Sequence, residues 1–281
     1  MKKILYLECK TGAAGDMLMG ALYSLLTEEQ KVLFLEKLNA ISEEVCVSPQ
    51  EICKQGIGGI HMKVEINGTE EGTEVHHHHE HDHHEEMHIH SHEEGHTHDH
   101  EHAHSHAHGH HSHTSVAAIL EQISKLDMSD TVKKDAEGIY REIAAAESKV
   151  HQTDMEQIHF HEVGSVDALI DVIGSCLALE LLGVDEVQAS PVCVGNGTVR
   201  CAHGILPVPA PATAEIIKGM PVYCSSFDGE LLTPTGAAIL KYFVETYTKE
   251  MHMEIEEIGY GFGTKDFAQL SCVRAFLGYQ K

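Results

Sequence analysis

The period of apolar positions changes twice within the first forty residues. Residues 3–9 (KILYLEC) are an almost unbroken apolar run, which predicts a buried strand, and Thr11-Gly12-Ala13-Ala14-Gly15 then interrupts it with small residues. Apolar residues resume at helical spacing over 16–26, so a strand, glycine turn and helix are expected in succession. A second helix is predicted over 27–38, where Thr27 and Gln30 stand in the capping-box arrangement. Strands are expected near 45–52 and 60–66.

Past residue 113 the helical period returns over 115–126 and 129–150. HFHEVGSVDALIDVIG then predicts a short strand leading into a helix from about Ser165, which places Asp167 and Asp171 on one helix face. EVQASPVCVG is strand-like, and a loop rich in glycine and proline is expected through Arg200, Cys201, His203 and Pro207. Pro211 suits the first position of a short helix ending at Gly219, and a further helix is expected from Thr233 or Pro234 to about Tyr247. The C-terminal stretch predicts two strands joined by a glycine-rich connection. This alternation predicts an α/β or α+β fold whose sheet order stays open. Its core would comprise 1–75 and 114–281, interrupted by an insert.

That insert changes the picture. Residues 76–113 hold 20 of the 26 histidines and no lysine or arginine, with almost nothing apolar to repay ordering, so the segment is expected to be disordered. Neutral imidazole is a common ligand of late first-row divalent ions, and alternate spacing through His96, His98, His100, His102, His104, His106 and His108 lets a flexible chain wrap several rings round one ion. Imidazole alone does not choose between nickel, copper and zinc. A disordered loop holds ligands too loosely for chemistry, so storage or delivery of metal is the expected role.

The net charge of −25 remains strongly acidic without the acids of the insert, which disfavours nucleic-acid binding. The N-terminal apolar run is too short for a signal peptide, and no run of about 18 apolar residues predicts a membrane span. Eight cysteines without a C-x-x-C pair predict reduced thiols in a cytoplasmic protein.

Several segments carry candidate chemistry. The turn holding Gly12, Gly15 and Asp16 opens a helix, where backbone N–H groups suit a phosphate, although a tight turn explains it equally. Gly261 and Lys265 lie in a glycine-rich stretch beside one cation, and Thr235 opens a predicted helix; both suit a phosphorylated ligand or an ordinary cap. His159 and His161 would project to one side of an extended segment with Glu162 beside them, forming a metal or proton-transfer site with Asp167 and Asp171. Cys201 and His203 pair a thiolate with an imidazole, a donor set for nickel or zinc.

LECKTGAAGDMLMGAL, HFHEVGSVDALIDVIG, CAHGILPVPAPATAEIIKGMPVY, ELLTPTGAAIL and IGYGFGTKD together resemble the nickel insertion proteins, cyclometallases that complete the nickel-pincer nucleotide cofactor of lactate racemase. The likeness spans nearly the whole chain outside the insert. It implies nickel as the metal, and CTP-dependent insertion of Ni²⁺ into pyridinium-3,5-bisthiocarboxylic acid mononucleotide. It further implies His161 or Glu162 as the base for the ring proton, with His159, Asp167, Asp171, Cys201 and His203 as transient nickel ligands. Family members continue into a C-terminal domain that binds CTP with Mg²⁺ or Mn²⁺, so the chain, ending at Lys281, is expected to be an N-terminal piece that works with that partner and serves apo lactate racemase. The alternative expectation is a nickel store or metallochaperone.

Overall fold

The N-terminal apolar run does not alternate because β1 (Lys2–Glu8) is covered on both faces: Ile4, Leu5, Tyr6 and Leu7 are all buried. The computed structural model describes residues 1–70, 114–160 and 162–280. The histidines of the insert, His161 and the side chain of Glu162 lie outside the described residues. The chain divides into a unit Met1–Gly72 with Ser112–Lys281, to which the described residues belong, and a unit Thr73–His111.

After β1 come α1 (Gly15–Ser24) and α2 (Glu28–Asn39), then the hairpin of β2 (Val45–Lys54) and β3 (Ile57–Ile66), with β4 (Thr69–Glu70) beside β3. The capping box of α2 forms as its sequence predicts: Gln30 N–H donates to Thr27 Oγ1 at 3.3 Å, and Thr27 N–H donates to Gln30 Oε1 at 2.9 Å. Next are β5 (Thr114–Ser115), α3 (Val116–Lys125), α4 (Asp130–His151), β6 (His159–Phe160) and α5 (Val166–Leu182). Short elements follow: β7 (Glu186–Ala189), β8 (Val192–Asn196), β9 (Thr198–Cys201), β10 (Gly204–Pro207), α6 (Pro211–Ile216), β11 (Val222–Cys224) and β12 (Gly229–Glu230). The chain ends with α7 (Pro234–Phe243), β13 (Thr246–Tyr247), β14 (Glu254–Phe262) and β15 (Val273–Gln280).

The main sheet runs β13-β7-β1-β15-β14-β3-β2, with β4 on β3. It is mixed: β7 lies parallel to β1 and β13, β14 parallel to β3, and β15 antiparallel to both β1 and β14. Helix α1 crosses β14 and β3, an approach so close that a Cβ at Gly261 would overlap the Met17 carbonyl. Helix α5 lies behind α1 and is buried nearly all round, so its apolar side chains each contribute on the order of 1.5–3 kcal/mol. Against that background its buried polar residues, Asp171 and Ser175, stand out.

Three boundaries differ from the sequence pattern. EVQASPVCVG is two strands, because the chain leaves the main sheet at Ser190-Pro191 and β8 pairs instead with β11 and β12. The expected loop around Cys201 and His203 is the hairpin β9–β10. Helix α7 stops at Phe243 rather than near Tyr247, since Thr246 and Tyr247 pair with β7 and extend the sheet edge. Among the described residues, no helix is long and apolar enough to cross a membrane. All eight cysteines are free thiols.

Candidate functional site

Helices α1, α5 and α7 all begin at one cleft of about 280 Å³. Two of these starts are capped from within: Ser165 Oγ accepts the Ala168 N–H at 3.2 Å, and Thr233 Oγ1 accepts the Gly236 N–H at 3.2 Å. The third is not, for Ala14 occupies the N-cap of α1 and has no side-chain oxygen. A carboxylate from another helix lies against that place: Asp171 closes on the first turn of α1 beside the Asp16 N–H.

Asp16 itself ties the first turn of α1 to the β14–β15 connection. Its Oδ1 accepts the Met17 N–H at 2.7 Å, and its Oδ2 accepts the Thr264 N–H at 3.1 Å. Among the described residues, Asp167, Glu230 and Lys265 complete the charged lining, so four carboxylates share the cleft with one ammonium group. Thr235, 8% exposed, lies within hydrogen-bond reach of Thr233 through their hydroxyls at 3.0 Å. Met17, Val163, Leu231 and Phe267 supply apolar wall.

Burial pushes the Asp171 carboxyl well above the usual carboxylate range, and repulsion from Asp167 and Asp16 adds to it. Burial also raises Asp16; the N–H groups of Met17 and Thr264, together with His61 and Lys54, pull the other way. His61 is a buried residue of β3 whose Nδ1 lies 3.2 Å from the Phe262 carbonyl oxygen, and its ring is one the sequence pattern did not single out. Behind the cleft, burial and then the charges of Asp171 and Asp167 push the Tyr140 phenol upward. Asp171 Oδ1, Tyr140 OH and Ser175 Oγ are buried without hydrogen-bond partners among the described residues. The first sits on the cleft wall.

A smaller pocket of about 180 Å³ adjoins this cleft and shares Val163, Glu230 and Pro234 with it. Cys201 and His203, from the β9–β10 hairpin, line it together with His151 and Glu147 of α4. The His151 and His203 ring centroids are 5.0 Å apart, and His151 Nε2 lies 3.3 Å from Glu147 Oε2.

The sequence candidates therefore separate. Gly15, Asp16, Asp167, Asp171, Thr235 and Lys265 share the cleft, whereas Cys201 and His203 line the neighbouring pocket. Gly12 is a packing residue at positive φ, pressed against the Leu231 backbone, and Gly261 packs against α1; neither lines the cleft. The turn donates elsewhere than to an open cradle: Gly12 N–H to Cys9 O, Ala13 N–H to Leu231 O and Met17 N–H to Asp16 Oδ1, with the Asp171 carboxylate packed against Gly15. His159 is exposed on β6 and lines neither pocket, because Phe160 takes the inward side of that strand. Among the described residues, no group of three or more His, Cys, Asp or Glu stands ready to hold a metal ion. Glu230 and Ser271 were not foreseen, since a two-residue strand and a loop bring them to the cleft.

Fold and cleft define a mixed α/β protein with an acidic cleft built at converging helix starts. The chain belongs to the nickel insertion protein family, whose family model matches residues 5–281. It is similar to the pyridinium-3,5-bisthiocarboxylic acid mononucleotide nickel insertion protein of Clostridium kluyveri, at 38% identity over 99% of this chain and 63% of that protein. Proteins of the same description from Geobacillus kaustophilus and Staphylococcus saprophyticus are 37% and 35% identical; the alignments cover 98% and 96% of this chain and 60% and 59% of those proteins. The chain thus spans roughly 60% of the length of the curated relatives it matches. No solved structure matches it.

Proposed function

We propose that this chain inserts nickel into pyridinium-3,5-bisthiocarboxylic acid mononucleotide, forming the nickel-pincer cofactor of lactate racemase. The observation that carries the reading is the charge of the cleft: among the described residues, Asp16, Asp167, Asp171 and Glu230 line it against Lys265 alone. Such a lining favours cations, and both the pyridinium ring and Ni²⁺ are cations.

Insertion replaces a ring C–H bond by a Ni–C bond. The C–H electron pair becomes the new bond, the proton leaves to a base, and nickel stays divalent. Asp167, half-buried at the start of α5, is the carboxylate we assign to nickel in the cleft. Cys201 and His203, in the adjoining pocket, belong to the path by which nickel arrives. His161 or Glu162 takes the ring proton; the support is Val163, the next residue, which forms part of both walls. CTP, with Mg²⁺ or Mn²⁺, is consumed by a C-terminal portion of the kind the longer relatives have room for, and apo lactate racemase receives the product.

The test is mass spectrometry of the nucleotide after anaerobic incubation of this chain with nickel, CTP and the bisthiocarboxylate mononucleotide, with and without a relative's C-terminal portion. A nickel-containing nucleotide that survives removal of the protein is the expected product. Nickel found only on the protein under both conditions rejects the reading in favour of a metal store.

A further inference from the structure

We propose that the Asp16–Asp171 pair selects the ligand of the cleft by the positive charge of its ring, so that this end of the site separates a pyridinium from a neutral ring of nearly the same shape. The inference rests on the nickel-insertion reading for the identity of that ligand as a pyridinium mononucleotide.

Asp16 and Asp171 stand side by side, the Asp171 carboxylate packed against Gly15 next to the Asp16 N–H, and both line the cleft. Asp171 is only 6% exposed, and its Oδ1 has no hydrogen-bond partner among the described residues. The N–H groups that Asp16 receives from Met17 and Thr264 stabilise its charge without cancelling it. The cations close by do not seat on the pair: His61 and Lys54 act on Asp16 through their charge, Lys54 Nζ pairing with Asp266 Oδ1 at 2.7 Å, and Lys265 lines the cleft with an exposed side chain.

Two adjacent carboxylates in a partly dehydrated cleft repel each other, and a flat monovalent cation between apolar walls relieves that repulsion while keeping its own face dry. Met17, Leu231 and Phe267 provide such walls. A neutral ring fits the same space and leaves the repulsion in place. The pair therefore acts on ring charge, a property distinct from the nickel chemistry assigned to Asp167.

Calorimetric titration of the full chain, without nickel or CTP, compares nicotinamide mononucleotide with its reduced 1,4-dihydro form, which differs chiefly in ring charge. The oxidised form is expected to bind at least about tenfold more tightly. Asp171→Asn keeps an oxygen to accept the Asp16 N–H and should bring the ratio close to one; Asp16→Asn provides an independent second variant, with thermal unfolding reporting that each is folded. Equal wild-type affinity for the two forms, an unaltered ratio in both variants, or binding of neither form overturns the proposal. A charge preference without nickel insertion sinks the nickel reading alone, and insertion without a charge preference sinks only this one.

Discussion

Gly15 and Asp171 meet across the start of α1 so closely that a Cβ on residue 15 would stand 2.5 Å from Asp171 Oδ2 and 2.7 Å from its Cβ. This approach lets a carboxylate of α5 reach the first turn of α1, where Ala14 offers no cap of its own. One contact thus joins the glycine turn of the N-terminal segment to the DALID segment of α5.

Gly15→Ala should lower stability by about 1–3 kcal/mol, because the Asp171 Cβ is fixed to the α5 backbone and cannot swing aside. Urea unfolding measures the loss. Combined with Asp171→Ala, the two effects should sum to less than their separate values, since both act on one contact. An unchanged midpoint for Gly15→Ala would show that the approach is looser than described.

The pH dependence follows from the direction of the Asp171 shift. Its folded-state carboxyl titrates above its unfolded value, so its contribution to stability is fully present below about pH 4 and is lost as pH rises through the folded-state value. Asp171→Asn should therefore be more stable than wild type at neutral and alkaline pH, with the difference vanishing in acid. Thermal melts at several pH values decide it; a variant less stable at neutral pH than in acid, relative to wild type, would mean that the Asp16 N–H favours the carboxylate more than burial and its acidic neighbours disfavour it.

Much of the secondary structure was legible because local chemistry and burial agree. The Thr27–Gln30 capping box forms as its spacing predicts, and the unbroken apolar run of β1 is explained by cover on both faces. The failures lie where tertiary pairing overrides local pattern, as at Thr246 and Tyr247, drawn from a predicted helix into the sheet edge. The site was legible only in pieces. Asp16 and Thr264 are hydrogen-bonded at a separation of 248 residues, a relation that no window along the chain contains. His159 drew attention as one of an alternating pair, but alternation does not say which side is inward, and at this point Phe160 occupies it.

Deleting residues 76–113 removes 20 imidazoles and leaves the cleft residues in place. Nickel stoichiometry by equilibrium dialysis should fall sharply, while nickel insertion, assayed with the C-terminal portion present, should persist when nickel is abundant. Complete loss of insertion at saturating nickel would show that the tract supplies the reacting metal site.

The two pockets share Val163, Glu230 and Pro234 but otherwise carry different donors, and that difference separates delivery from chemistry. Cys201 and His203 face only the smaller pocket, so Cys201→Ser with His203→Ala should slow insertion at limiting nickel and leave the rate at saturating nickel within about twofold of wild type. Asp167 lies in the main cleft, and Asp167→Asn should lower the rate by about tenfold or more at any nickel concentration. Rates measured across a nickel titration discriminate the two, because a delivery defect is overcome by mass action and a defect at the reacting ion is not. If Asp167→Asn is rescued by excess nickel, the carboxylate belongs to the path, and the ion reacts while held by the sulfur arms of its substrate.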